Sequence, residues 1–111
     1  MKRYDLITPE GTNDLLFEDC AIRRSVEQRI AGIFKSKGYC EVVTPGIEFF
    51  DVFNLNSRYF PQESMYKLVD NKGRLLVVRP DSTMPIARVA ATRLREVPLP
   101  LRMFYSQNVY R

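Results

Sequence analysis

The chain carries at residues 75–83 the stretch Leu75-Leu76-Val77-Val78-Arg79-Pro80-Asp81-Ser82-Thr83. Four apolar residues suited to a buried strand are followed directly by an arginine, a carboxylate and two hydroxyl groups. Core packing does not require polar groups at this place, so the pattern predicts a strand-to-helix turn that can bind a zwitterion or an anion. The alternative interpretation is an ordinary helix cap, in which the aspartate accepts backbone N–H groups at the start of the helix.

The composition is that of a soluble globular domain or part of one, with 111 residues, a net charge of +4, 45% apolar and 27% charged residues. No apolar run approaches the ~20 residues that span a bilayer, and residues 1–5 lack the apolar stretch typical of a signal peptide, so we expect a cytoplasmic protein. Cys20 and Cys40 are too few for a disulfide framework or a metal site. The absence of histidine from these residues excludes an imidazole general base among them.

Periodic patterns predict an α+β fold. Apolar residues at spacings of three and four indicate a helix over residues 16–37 that ends at Gly38. Asp81 or Ser82 is expected to cap a second helix, which continues until Pro98. Because two strands are joined by a tight hairpin, we expect an antiparallel sheet with helices on one side. The predicted strands are 39–44, 47–55 (passing into a short helix), 65–69, 74–79 and 101–110.

Several aromatic residues precede the hairpin, and we interpret them as part of the core or of an interface between subunits. Few basic residues are interleaved with these aromatic residues, so a platform for stacking bases is disfavoured and we do not expect nucleic-acid binding. The chain also lacks a Gly-x-Gly-x-x-Gly motif and a P-loop, and no cofactor is expected. The aromatic residues are Phe49, Phe50, Phe53, Tyr59 and Phe60.

Four segments together resemble, in the same order, histidyl-tRNA synthetases and their paralogues. They are PEGTNDLL (9–16), GYCEVVTPGIE (38–48), VRPDST (78–83) and MFYSQNVYR (103–111). The second resembles the first motif of class II synthetases, and the last resembles the opening strand of the second motif. The resemblance implies that residues 1–111 are the N-terminal part of a class II synthetase-like catalytic-type domain, and we expect that domain to continue beyond them.

The resemblance also implies roles for individual residues. Asp81 and Thr83 match the turn that holds the amino group of histidine. Arg111 matches the arginine that contacts the ATP α-phosphate in the synthetases, and is a candidate phosphate or carboxylate contact. Tyr39 and Pro45 fall where the long helix and the following strand build a homodimer interface.

One substitution separates two branches of this family. Synthetases typically carry Arg-Pro-Glu-Gly-Thr at the amino-group turn, whereas this chain has Arg-Pro-Asp-Ser-Thr at 79–83, followed by Met-Pro-Ile-Ala-Arg. This pattern resembles the regulatory subunits of ATP phosphoribosyltransferase. Aspartate is one methylene shorter than glutamate, which withdraws the carboxylate by roughly 1.3–1.5 Å. Catalysis tolerates such a displacement poorly, while allosteric binding can absorb it.

Three functions follow as hypotheses. The first is a non-catalytic regulator in histidine biosynthesis that binds histidine, forms a homodimer within a hetero-oligomer and activates the short catalytic subunit of the transferase. The second is a catalytic fragment of a histidyl-tRNA synthetase, in which histidine is activated with ATP. The third is an interaction module whose motifs only build a dimer.

Overall fold

The computed structural model describes residues 3–54 and 61–111. Helix α1 spans Phe17–Ser36, one residue shorter at each end than predicted. The chain leaves the helix at Gly38, whose φ of 85° is favourable only for glycine. There the N–H of Gly38 donates to Lys35 and the N–H of Tyr39 donates to Phe34, each at 3.1 Å. These bonds satisfy carbonyls that the end of a helix leaves without partners.

Three strands form the antiparallel sheet that the hairpin predicted. Strand β2 (Ile47–Phe49) is followed by the short helix α2 (Asp51–Asn54). Strands β3 (Tyr66–Val69) and β4 (Leu75–Val78) form the hairpin. The sheet order is β2-β4-β3, and Val77 in the central strand lies opposite Glu48 of β2.

The first and last strands are shorter than predicted and pair with each other in parallel. Strand β1 (Cys40–Glu41) aligns Cys40 with Met103 of β5 (Met103–Phe104). The expected antiparallel sheet is thus confirmed for β2, β4 and β3, whereas this pair is parallel, and the predicted strand bounds of 39–44 and 101–110 are wrong. A parallel pair requires a long crossover, and the two segments here are separated by two helices and the hairpin.

Helix α3 spans Thr83–Ala91 and begins where the sequence predicted. It ends before Pro98, which corrects the expected C-terminus. At Thr92 both the N–H and the hydroxyl donate to the carbonyl of Arg88, at 3.0 and 2.8 Å, and the chain then continues in turns. Pro85 lies in the first turn, where its missing N–H leaves no helical bond unmade.

The core lies between the sheet and the two short helices. Phe53, Met65 and Val77 are buried, and Phe50 packs against them. The core assignment of Phe53 and Phe50 is confirmed, whereas Phe49 is about half exposed. Tyr59 and Phe60 lie outside the described residues. No helix in the described ranges combines the length and apolar character needed to cross a bilayer.

Candidate ligand-binding site

The turn between β4 and α3 is built around Asp81. Its Oδ2 accepts the backbone N–H of Met84 at 3.1 Å, so Asp81 caps the helix. Its Oδ1 has no hydrogen bond within residues 3–54 and 61–111. The side chain is half-buried, and the neighbouring Thr83 is exposed. The turn therefore combines the structural role of Asp81 with a second carboxylate oxygen and a hydroxyl that can accept bonds from an ammonium group.

Arg79 orders this turn through bonds to other parts of the chain. Its Nη1 donates to the carbonyl of Thr44 at 2.9 Å and its Nε donates to the carbonyl of Asn108 at 2.6 Å. Its backbone N–H also donates to Gly46 at 2.9 Å, and its carbonyl accepts the N–H of Tyr110 at 2.9 Å. These contacts therefore give Arg79 a role in ordering the turn.

Arg111 lies beside the same turn. Its Nε donates to the carbonyl of Pro80 at 2.9 Å, next to Asp81 in the chain. Its own carbonyl accepts the hydroxyl of Tyr66 at 3.3 Å. The structure thus places Arg111 against the backbone of the turn that carries Asp81 and Thr83, although Arg111 is thirty residues from Asp81 in sequence. Because a cation contacts the backbone of the turn that carries the Asp81 carboxylate, the turn offers groups of both charges to a ligand.

Tyr39 and Pro45, the candidate interface residues, have different surroundings. The ring of Tyr39 packs edge-on against Phe34, with centroids 5.5 Å apart, and Phe34 stacks on Phe104 at 5.0 Å. Tyr39 is therefore half-buried within its own chain, while Pro45 is exposed. Neither the ring packing of Tyr39 nor the exposure of Pro45 tests the dimer interface, which remains a prediction.

Sequence reasoning missed Gln107. Its side-chain amide contacts Thr44, Arg79 and Ser82, and so joins the turn to the segment that follows β1. A single glutamine in a polar segment gives no sequence signal, because its partners lie 25 to 63 residues away. Only the pairing of β5 with β1 brings them together.

A separate open cleft of about 450 Å³ lies between α1 and the final segment of the chain. Three arginines, Arg23, Arg24 and Arg79, line it together with Glu27, which pairs with the first two. Asp81, Thr83 and Arg111 are not among its lining residues. The candidate site is thus the turn itself, and the cleft is a second feature of the surface.

The sheet, the flanking helices and this turn define an α+β protein of the class II aminoacyl-tRNA synthetase type. The family model of histidyl-tRNA synthetase matches residues 11–111. The chain belongs to the histidyl-tRNA synthetase family. The solved structures agree with this assignment. An ATP phosphoribosyltransferase regulatory subunit/histidyl-tRNA synthetase from Bacillus halodurans superposes with a TM-score of 0.87 and 33% identity, over 99% of this chain and 29% of that one.

Curated relatives of this chain are named ATP phosphoribosyltransferase regulatory subunit. The protein from Ruminiclostridium cellulolyticum is 50% identical over the whole chain, which covers 26% of that relative. The protein from Acetivibrio thermocellus is 46% identical, and the chain covers 27% of it. The chain thus spans about a quarter of the length of the relatives it matches. The apo histidyl-tRNA synthetase of S. aureus has a TM-score of 0.81 at 26% identity, over 95% of this chain and 25% of that one.

Proposed function

We propose that the chain is the N-terminal part of a regulatory subunit of ATP phosphoribosyltransferase. It acts in histidine biosynthesis without catalysing a reaction itself, activates the short catalytic subunit and senses histidine. The observation that carries this proposal is the 50% identity over all 111 residues to a protein with that name. The aspartate at position 81, where synthetases typically have glutamate, supports the same branch of the family.

In this proposal Asp81 and Thr83 hold the ammonium group of histidine. Oδ2 of Asp81 is occupied by the N–H of Met84, so the ligand would use Oδ1. Arg111 next to the turn would contact the carboxylate, or a phosphate group. Charge-assisted bonds of this kind contribute about 1.5–3 kcal/mol when shielded from water.

The proposed assembly contains a homodimer of this subunit bound to the transferase catalytic subunit. The dimer would form through α1 and the residues that follow it, including Tyr39 and Pro45. Feedback requires histidine to bind the active and inhibited assemblies with different affinities, because a ligand shifts an equilibrium only by that difference. We expect a cytoplasmic complex that binds neither membranes nor nucleic acid.

A catalytic fragment of a histidyl-tRNA synthetase is the second candidate. The observation that favours it is the superposition on the S. aureus synthetase, with a TM-score of 0.81. Arg111 would then contact the α-phosphate of ATP. The two candidates differ in one measurable reaction, since a synthetase exchanges pyrophosphate into ATP when histidine is present and a regulator does not.

The test uses the full-length protein and a short ATP phosphoribosyltransferase catalytic subunit. We expect the mixture to have higher transferase activity than the catalytic subunit alone, and histidine to reduce it. No stimulation would remove the regulatory proposal, and histidine-dependent pyrophosphate exchange would replace it with the synthetase.

Calorimetry of histidine binding tests the residue assignment within the same protein. Asp81→Ala should weaken binding by about 1–3 kcal/mol, because a bond to a charged group is lost. Asp19→Ala, which removes an exposed carboxylate from the first turn of α1, is the control and should bind as the wild type does. If Asp81→Ala lowers only the thermal stability, Asp81 is a helix cap alone.

A further inference from the structure

Gln107 joins three segments that are far apart in the chain. Its Nε2 donates to Oγ of Ser82 at 3.2 Å and to Oγ1 of Thr44 at 3.1 Å. Its Oε1 accepts the backbone N–H of Thr44 at 2.8 Å and Nη1 of Arg79 at 3.3 Å. A glutamine amide offers two N–H donors and one oxygen with two acceptor sites. All four are therefore used inside the protein.

These partners also fix the orientation of the amide. The N–H of Thr44 and the guanidinium of Arg79 can only donate, so they require Oε1 on their side. The hydroxyls of Ser82 and Thr44 can accept, and they receive the two N–H groups. Ser82 is 2% exposed and Thr44 is 3% exposed, so water has little access to replace a lost partner. The hydroxyl of the buried Ser82 is thus bonded to a half-buried amide whose donors and acceptor sites are all used.

Ser82 is the residue between Asp81 and Thr83. Its hydroxyl does not cap α3, and its φ of −107° is an ordinary value for a residue with a side chain. The bond to Gln107 is therefore the contact that its hydroxyl makes within the described residues. A glycine, which synthetases typically have at this position, has no atom that could reach Gln107.

We propose that Gln107 is a positioning residue that sets the Asp81–Thr83 turn through Ser82. The proposal rests on the proposed function, in which this turn holds the ammonium of histidine. Gln107 is anchored to the backbone and the hydroxyl of Thr44, and Arg79 binds both Gln107 and the carbonyl of Thr44. Thr44 thereby holds the ligand-binding turn in place through Gln107 and Arg79.

The test uses the full-length protein with two measurements. One is the affinity for histidine by calorimetry, and the other is amide hydrogen exchange of residues 81–84 without histidine. Ser82→Ala should weaken histidine binding by roughly tenfold, because one partly buried bond that holds the turn is lost, and should speed exchange at the turn. Ser25→Ala, an exposed serine of α1, is the matched control and should change neither.

Substitutions of Gln107 separate positioning from general stability. Gln107→Glu keeps an acceptor for Thr44 and Arg79, and the two hydroxyls can turn to donate, so histidine affinity should stay within about threefold of wild type. Gln107→Leu should weaken binding at least as much as Ser82→Ala. The double variant Ser82→Ala with Gln107→Leu should bind no more weakly than Gln107→Leu alone, since both changes remove the same link.

The outcomes distinguish this proposal from the proposed function. If Ser82→Ala lowers the Tm but leaves both the affinity and the exchange of the turn at wild-type values, the positioning role is wrong. If the wild type does not bind histidine but Ser82→Ala still speeds exchange at the turn, the positioning stands and the ligand assignment fails. If Ser82→Ala does not fold, Ser82→Gly together with Gln107→Glu and Gln107→Leu gives the same comparison.

Discussion

Asp81 can have two roles because its two carboxylate oxygens have different surroundings. Oδ2 accepts the N–H of Met84, and a cap of this kind contributes about 1 kcal/mol to stability. Oδ1 has no hydrogen bond within the described residues, and Thr83, two residues further along the turn, is exposed. Capping and ligand binding are therefore compatible in one residue, and they are separable because only the second affects the affinity for an amino acid.

Asp70 illustrates a carboxylate whose role is purely structural. Its Oδ1 accepts the N–H groups of Arg74 and Lys72 at 2.8 and 2.9 Å, and its Oδ2 pairs with the Arg74 guanidinium at 2.8 Å. The pKa of Asp70 is lowered below its ordinary 3.8, chiefly by the bond from the Arg74 N–H. The contribution of Asp70 to the stability of the fold is thus fully present above the ordinary pKa. It is lost as the pH falls through the lowered pKa of the folded state.

We therefore predict a pH-dependent effect of Asp70→Asn on the β3–β4 hairpin. The variant should have a lower Tm than wild type at neutral pH, and the difference should shrink as the pH falls below about 4. Thermal unfolding of the full-length protein across the acidic range measures this. Asp51→Asn, an exposed acid in α2, is the control. A Tm difference that is constant with pH would contradict the assigned cause.

At the scale of elements, local signals were sufficient for α1, the hairpin and the start of α3. Each depends on neighbouring residues, such as the apolar spacing of α1 and the glycine that ends it. The pairing of β1 with β5 was not predictable in this way, because it joins segments 63 residues apart. Gln107 escaped prediction for the same reason, although the nearby turn was found from its strand, proline and hydroxyls.

In strand β2 the alternation of apolar and polar residues does not match the burial of the side chains. Ile47-Glu48-Phe49 suggests an exposed Glu48 between buried neighbours, but Glu48 is buried while Ile47 and Phe49 are about half exposed. Both oxygens of Glu48 accept bonds from Arg88 of α3 at 2.9 Å. The pair therefore connects β2 to the helix that follows the ligand-binding turn. Its partners are 40 residues apart, so strand periodicity alone cannot reveal it.

We predict that Glu48→Ala destabilises the fold by about 1–3 kcal/mol, because it leaves Arg88 without its partner in a partly buried site. The figure is below that for a fully buried pair, since the Arg88 side chain is 33% exposed. Urea unfolding measures it, and a double-mutant cycle with Arg88→Ala should give a coupling energy of similar size. Glu96→Ala breaks the exposed Arg95–Glu96 pair and should cost close to nothing. Equal effects of the two glutamate substitutions would contradict this interpretation.

At the scale of the whole molecule, the chain is more extended than a compact domain. Its radius of gyration is 17.3 Å, whereas a compact domain of this length has about 13 Å. Helix α1 has no buried residue, and Ile22, Val26 and Ile30 are each about half exposed. An apolar stripe of this length requires a partner surface to be stable in water. In the proposed homodimer that surface is the same helix region of a second copy.

The homodimer proposal predicts the effect of a charge in this stripe. Ile30→Glu in the full-length protein should weaken the dimer by about 3 kcal/mol, or roughly a hundredfold in Kd, because an unpaired carboxylate would be desolvated in the interface. Light scattering over a range of concentrations measures the mass, and circular dichroism confirms that the variant is folded. Gln28→Glu adds the same charge on the opposite face of α1, so its mass should match wild type. A folded Ile30→Glu variant that keeps the dimer mass, or a monomeric wild type, would show that the stripe packs within its own chain.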